Sequence, residues 1–257
     1  MTILCSLINL GYERRTVFRP VSMVYLLLLI VMLIIFVPLV FFVIGDLLVS
    51  ALGIPAQWVG VFFIVSLFGS FVNIPVATLE SRVPMVRVRE VNAFGVTWQI
   101  PGVGLGVTRT HVMINLGGGV LPIVVSGYLL GMPLMPTLIN PVNEYLAIAA
   151  VLLIVTVVVN RSAGVISGLG IATPAMVPPI VTVLATLLVD YISPIHSPAQ
   201  VAYIGGTLGT LIGADLLNLH RIRDLGAPVV SMGGAGTFDG VYLTGLVSVL
   251  LVVLALG

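Results

Sequence analysis

Long apolar runs constrain this chain more than any other feature. The run from Val21 to Gly45 contains no charged residue, and about 20 apolar residues suffice for an α-helix to cross roughly 30 Å of hydrocarbon. Further runs follow at about Trp58–Leu79, Val112–Leu130, Glu144–Asn160, Ala175–Ile192 and Gln200–His220, and a last one ends at Gly257. None shows the alternation of a membrane barrel. The expected fold is all-α: a polytopic transmembrane helix bundle of about seven spans, with residues 1–257 forming one domain in a cell membrane. Composition agrees, since 59% of the residues are hydrophobic and 7% are charged, where a soluble domain carries about 25% charge.

The first run is too long for the apolar core of a secretory signal, about 7–15 residues, and no A-x-A cleavage site follows it. It reads as an uncleaved first helix. The chain has no lysine, and its ten arginines are Arg14, Arg15, Arg19, Arg82, Arg87, Arg89, Arg109, Arg161, Arg221 and Arg223. If seven segments cross, all ten fall on the N-terminal side, which is the positive-inside pattern. The N-terminus is then cytoplasmic and the C-terminus external, with Asp46, Glu144, Asp190 and His196 near the outer surface. A net charge of +1 with no dense basic block leaves no footprint for nucleic acid. Cys5 is the only cysteine, which excludes an internal disulfide and a CxxC metal site. His111, His196 and His220 stand at separate boundaries without ligand spacing, so no metal is expected.

The sizeable piece outside the membrane is the cytoplasmic stretch from Glu80 to His111. Met85-Val86-Arg87-Val88-Arg89-Glu90-Val91 alternates with period two, and a second extended stretch, Val96–Ile100, follows Asn92-Ala93-Phe94-Gly95. The pattern predicts a small β-hairpin at the membrane surface; a plain loop whose arginines anchor the topology is the alternative.

Several spans carry their own breaks. Asn73-Ile74-Pro75 falls in the second, Asn115-Leu116-Gly117-Gly118-Gly119-Val120-Leu121-Pro122 in the third, and Thr173-Pro174 with Pro178-Pro179 at the start of the fifth. Non-helical backbone at membrane depth persists only where protein or a wet cavity satisfies its amides, so an internal polar cavity is expected. Proline kinks and close helix approach at glycine produce the same sequences. Gly205, Gly209 and Gly213 form a small-xxx-small stripe and predict a helix-packing face.

Two carboxylates stand apart. Asp215 lies one and a half helical turns before Arg221, roughly 8–9 Å inside the cytoplasmic boundary. Asp239 follows the break Gly233-Gly234-Ala235-Gly236. If the chain enters extended from Pro228 and the last helix starts near Thr237, Asp239 sits in the membrane at that helix's N-terminus. Ionisable groups there cost about 2.5–3.5 kcal/mol at mid-depth, and their default reading is functional. Asn218 shares a helix face with Asp215 and is in reach of the site. Simpler roles compete: Asp239 as a helix N-cap and Asp215 as a partner of Arg221 or Arg223.

The segments around Asn73, Asn115, Asp215 and Asp239 together resemble a bacterial and archaeal family of membrane proteins of unknown function. More loosely, Asp215, Gly234, Gly236 and Asp239 resemble the GxGD intramembrane aspartyl proteases: presenilins, signal peptide peptidases and prepilin peptidases. Those place one aspartate on a helix and a second after a glycine motif near the cytoplasmic face. Here Thr237 and Phe238 separate the glycines from Asp239, so the literal GxGD is absent, as is a Pro-Ala-Leu motif. The resemblance implies a di-aspartyl protease, with Asp215 and Asp239 catalytic, cleaving membrane-anchored peptides near the cytoplasmic face. Such chemistry needs no cofactor: two close carboxyls share a proton, one activating water and the other polarising the scissile carbonyl. The partners are then the lipid bilayer and a membrane-protein or peptide substrate.

An ion-coupled secondary transporter or channel-like protein is the alternative, with broken segments around Asn73 and Asn115 cradling an ion, although no internal repeat supports it. A scaffold without a site is a third possibility.

Overall fold

The computed structural model describes residues 23–93, 96–131, 141–166, 170–222, 229–234 and 239–256. The chain is mostly helical. Its helices are α1 (Met23–Asp46), α2 (Ala56–Gly69), α3 (Leu121–Gly131), α4 (Pro141–Ser162), α5 (Val177–Ile192), α6 (Pro198–Thr210), α7 (Leu219–Ile222) and α8 (Gly240–Leu256). Three π-wound segments extend them: Leu47–Ala51 after α1, Leu116–Val120 before α3 and Leu211–Asp215 after α6. A 3-10 turn, Leu216–Asn218, joins the last of these to α7, so helical winding runs unbroken from Pro198 to Ile222.

Each expected span contains a helix, yet among the described residues two are long and apolar enough to cross a membrane, Ile30–Ala51 and Val142–Ser162. Ala56–Gly69, Leu116–Gly131, Val177–Ile192 and Gly240–Leu256 are apolar but shorter. The second and third apolar runs extend beyond their helices. Trp58–Leu79 divides into α2 and the start of β1 (Asn73–Ala93), while Val112–Leu130 begins as the end of β2 (Val96–Asn115). Asn73-Ile74-Pro75 therefore opens a strand. Where almost every residue is apolar, periods of 2 and 3.6 leave the same pattern. The β-branched Ile74, Val76 and Thr78 favour the strand, and the register shifts between Pro75 and Ala77, the kind of bulge that accommodates a proline without an amide to donate.

The hairpin is thus longer than the stretch 80–111. β1 and β2 pair antiparallel from Asn73↔Asn115 to Ala93↔Val96. A fifth strand, β5 (Val229–Met232), joins β2 in parallel from His111↔Val229 to Ile114↔Met232, giving the order β1-β2-β5. Glu80 and Arg109, paired across β1 and β2, approach to 3.8 Å and are largely exposed, so their attraction contributes less than about 1 kcal/mol. A separate antiparallel ribbon, β3 (Gly164–Ile166) with β4 (Gly170–Ala172), lies between α4 and α5.

Two compact units divide the chain, Met1–Val43 and Ile44–Gly257. The helical residues of the first are apolar, with Leu27, Ile34 and Phe42 exposed. In the second, α6 is the central element, packed by α3, α4, α5 and α8. Every residue from Ala199 to Thr207 is buried, as expected of a helix enclosed on all sides. The small-residue stripe makes this possible. A Cβ at Gly205 would lie 2.7 Å from Val151 Cγ1, and one at Gly209 2.9 Å from Val155 Cβ. The order of these contacts shows that α4 and α6 run in the same direction.

Candidate active site

Asp215 is the last residue of the π-wound end of α6. A π turn advances by hydrogen bonds from i to i+5, which sets Asp215 above Thr210, where regular α-winding would bring residue 214. The altered winding frees carbonyls, and two asparagines take them. Asn218 Nδ2 donates to Gly213 O at 2.9 Å and to Ala214 O at 3.0 Å, and Asn160 Nδ2 donates to Gly213 O at 3.1 Å. Asn218, which shares a helix face with Asp215, fixes the backbone carrying it.

Asp239 opens α8. Its Oδ1 accepts from Val241 N at 2.9 Å, and its carbonyl accepts from Leu243 N at 2.9 Å. It is therefore an N-cap, satisfying an amide that the first turn leaves free. The extended approach foreseen before the last helix is β5. Asp215 and Asp239 are both half-buried and lie close enough for Asp239 to act on Asp215 through its charge. Beside them Val112, Leu211, Met232 and Val241 form an apolar cluster with Ile114 and Leu219. It joins β2, the π segment, β5 and α8, so the segments that carry the two carboxylates share one dry contact. Arg221, a proposed partner of Asp215, is exposed, and Arg223 lies outside the described residues.

A second cluster forms around the asparagines. Asn115 is fully buried, and its Oδ1 accepts from Gly117 N at 3.0 Å and Gly118 N at 2.9 Å. Its Nδ2 donates to Ser70 O at 2.8 Å and to Asn73 Oδ1 at 3.2 Å, while Ser231 Oγ donates to Asn73 Oδ1 at 2.6 Å. One side chain thus caps the π segment before α3, ties down the end of α2 and reaches, through Asn73, to β5.

Glycines allow the backbones to meet there. A Cβ at Gly117 would collide with Ser66 O and stand 2.7 Å from Ser70 N. Gly233 has φ +66°, and a Cβ on it would lie 2.6 Å from Gly118 C. No L side chain fits there by conformation or by space. Gly234 closes a turn through its amide to Ser231 O at 3.2 Å. Gly236 lies outside the described residues.

Asn73 and Asn115 stand out in the sequence without their partners, Ser70 at the end of α2 and Ser231 on β5, which the fold brings to them. A clue existed, because the two asparagines are nearly equidistant from Phe94-Gly95 and a hairpin turning there pairs them. Among the described residues no group of three or more His, Cys, Asp or Glu side chains is placed to hold a metal ion. Thr78 Oγ1 lies 3.3 Å from His111 Nδ1, and His196 N donates to Glu144 Oε1.

Across the family comparison, residues 67–251 match the family described as "Protein of unknown function (DUF1614)". The match covers more than half of the chain and spans both asparagines and both aspartates: the protein belongs to this family. No curated protein and no solved structure matches the chain.

Proposed function

We propose that this protein is an intramembrane di-aspartyl protease that cleaves membrane-anchored peptides near the cytoplasmic face, with Asp215 and Asp239 as its catalytic pair. The observation that carries the reading is that two carboxylates from consecutive segments, one on a π-wound helix end and one at a helix N-terminus, stand on segments packed into one apolar cluster. Two such groups beside an apolar cluster share a proton more readily than both ionise. The protonated member polarises the scissile carbonyl and the ionised member takes a proton from water. The pair titrates as a unit, so the roles are not divided between the residues. The N-terminus of α8 adds a positive field at the same point.

The test uses the full chain in proteoliposomes with single-span reporter peptides. Asp215→Asn and Asp239→Asn should each lower cleavage about 10²–10⁴-fold, the contribution of a positioned acid or base. The double variant should be little worse than either, because paired groups act together. Cleavage that survives both substitutions overturns the assignment.

The second reading is an ion-coupled transporter, and the half-buried pair of carboxylates is what favours it. An ion site built on Asn73 and Asn115 has less support, since their amides are engaged by Ser70, Ser231 and the glycine amides. Loss of ion-driven uptake in the double Asp→Asn variant, with no cleavage by the parent protein, would move the assignment to transport.

A further inference from the structure

Between α2 and α3 lies a cleft that neither the aspartate pair nor the asparagine cluster uses. The end of α2 meets the π segment before α3 with no side chain between them: a Cβ at Gly69 would lie 2.9 Å from Gly117 N, and one at Gly117 would collide with Ser66 O. α2 leads up to that contact and α3 leads away from it, so the start of α2 stands beside the end of α3. Towards those ends the helices part, and a cavity of about 360 Å³ separates them.

Every side chain lining the cavity is apolar or aromatic, and among the described residues none is charged. Phe62 and Val125, both buried, form its inner wall. The Phe62 ring stacks on Tyr242 of α8, with centroids 6.0 Å apart and 19° between the planes, which backs that wall with a second ring. Val61 and Val124 are exposed at its mouth, so the cleft opens sideways from the bundle. Trp58 and Tyr128, 55% and 38% exposed, mark the end away from the glycine contact. Indole and phenol groups beside apolar surface favour the level where hydrocarbon meets headgroups.

The dimensions choose the occupant. From Leu121 to Tyr128 the cleft runs about 10 Å along α3. An α-helix about 10 Å across would fill roughly 800 Å³ over that length, more than the cleft holds, whereas a single hydrocarbon chain fits. Water is a poor occupant, because a buried water needs about two to four polar partners. An empty cleft would leave its lining without contacts on one side, and in a bilayer the medium at its mouth is hydrocarbon.

We propose that this cleft binds one acyl chain of a membrane phospholipid, its glycerol end beside Trp58 and Tyr128 and its chain running between α2 and α3 towards Leu121. The chain is what is recognised, since no charged side chain is present to select a headgroup. The inference rests on the membrane placement proposed above and not on proteolysis.

Trp58 supplies the readout. In the full chain carrying Trp98→Phe it is the sole tryptophan, and bromine on an acyl chain quenches an indole that it touches. In detergent micelles, phosphatidylcholine brominated in its acyl chain should quench Trp58 saturably, levelling off at one lipid per protein. The phosphatidylglycerol analogue should reach half-saturation at the same concentration. Val61→Phe and Val124→Phe, at the exposed mouth, should raise that concentration about tenfold or more, the scale on which one methylene changes the fit to an apolar pocket. Leu153→Phe, at an exposed position on α4, should leave it unchanged. Quenching that rises without saturating, or that is alike in all variants, overturns the inference. So does a preference between the two headgroups, or displacement of the bromolipid by an equimolar single-span peptide. Flotation with unbrominated vesicles reports on the membrane placement separately: failure to float overturns that placement, while floating protein with unsaturable quenching overturns the acyl-chain site alone.

Discussion

At the scale of single residues, Asn115 joins more of the structure than either aspartate. Its buried side chain makes four hydrogen bonds to three segments. Asn115→Ala removes a cap, worth about 0.5–2 kcal/mol, and leaves buried backbone groups unpaired at about 1–3 kcal/mol. A loss of about 2–4 kcal/mol in unfolding free energy is expected. Asn73→Ala, at an exposed position, should cost less than about 1.5 kcal/mol. Denaturant unfolding of the purified variants checks the difference, and equal losses would contradict the network. Asp239 separates stability from chemistry in the same way. Asp239→Asn preserves a good N-cap, whereas Asp239→Ala should cost about 1 kcal/mol. If both variants lose cleavage but only the alanine loses stability, capping and catalysis are distinct roles of one carboxylate. Its capping role was legible from the sequence, because an aspartate after a glycine break and before an apolar run is a helix-start signal. The engagement of Asn218 with the Gly213 and Ala214 carbonyls was not, because nothing local distinguishes π from α winding.

At the scale of elements, the hairpin and the π segment show what pattern reading recovers. Charges at Arg87, Arg89 and Glu90 made the period of two visible in the middle of the hairpin, while its two ends, Asn73–Leu79 and Val112–Asn115, are too apolar for any period to stand out. Phase also governs the π segment. One residue more than α-winding needs lies between Thr210 and the Asp215 position, so deleting Ile212 should restore regular helix and still leave the aspartate over Thr210. Deleting Leu208 from regular α6 instead rotates everything beyond it by about 100°. The expected outcome is a folded protein with activity for the Ile212 deletion, and loss of activity for the Leu208 deletion. Thermal unfolding and the reporter-peptide assay measure both, and a Leu208 deletion with full activity would show that the phase of α6 does not set the site.

At the scale of the whole molecule, helix lengths and charge placement give different views of the membrane. Two described helices have spanning length, whereas a seven-span arrangement would put all ten arginines on one side. The geometry offers a way for short helices to coexist with this pattern. The sheet and the Asn115 cluster continue the chain where α2 stops at Gly69, and the winding from Pro198 to Ile222 exceeds α6 itself. Protein-satisfied backbone of this kind is the form in which non-helical structure is tolerated at membrane depth. Replacing Cys5 with serine gives a cysteine-free background, into which single cysteines can be placed near His196, near Arg87 and before Gly257. An impermeant thiol reagent added outside intact cells should label the His196 and C-terminal sites and leave the Arg87 site unmodified until the cells are permeabilised. Labelling at Arg87 in intact cells would place the hairpin outside and overturn the proposed cytoplasmic location of the aspartate pair. Labelling at Arg87 only after permeabilisation would support the orientation, with the sheet and both carboxylates facing the cell interior.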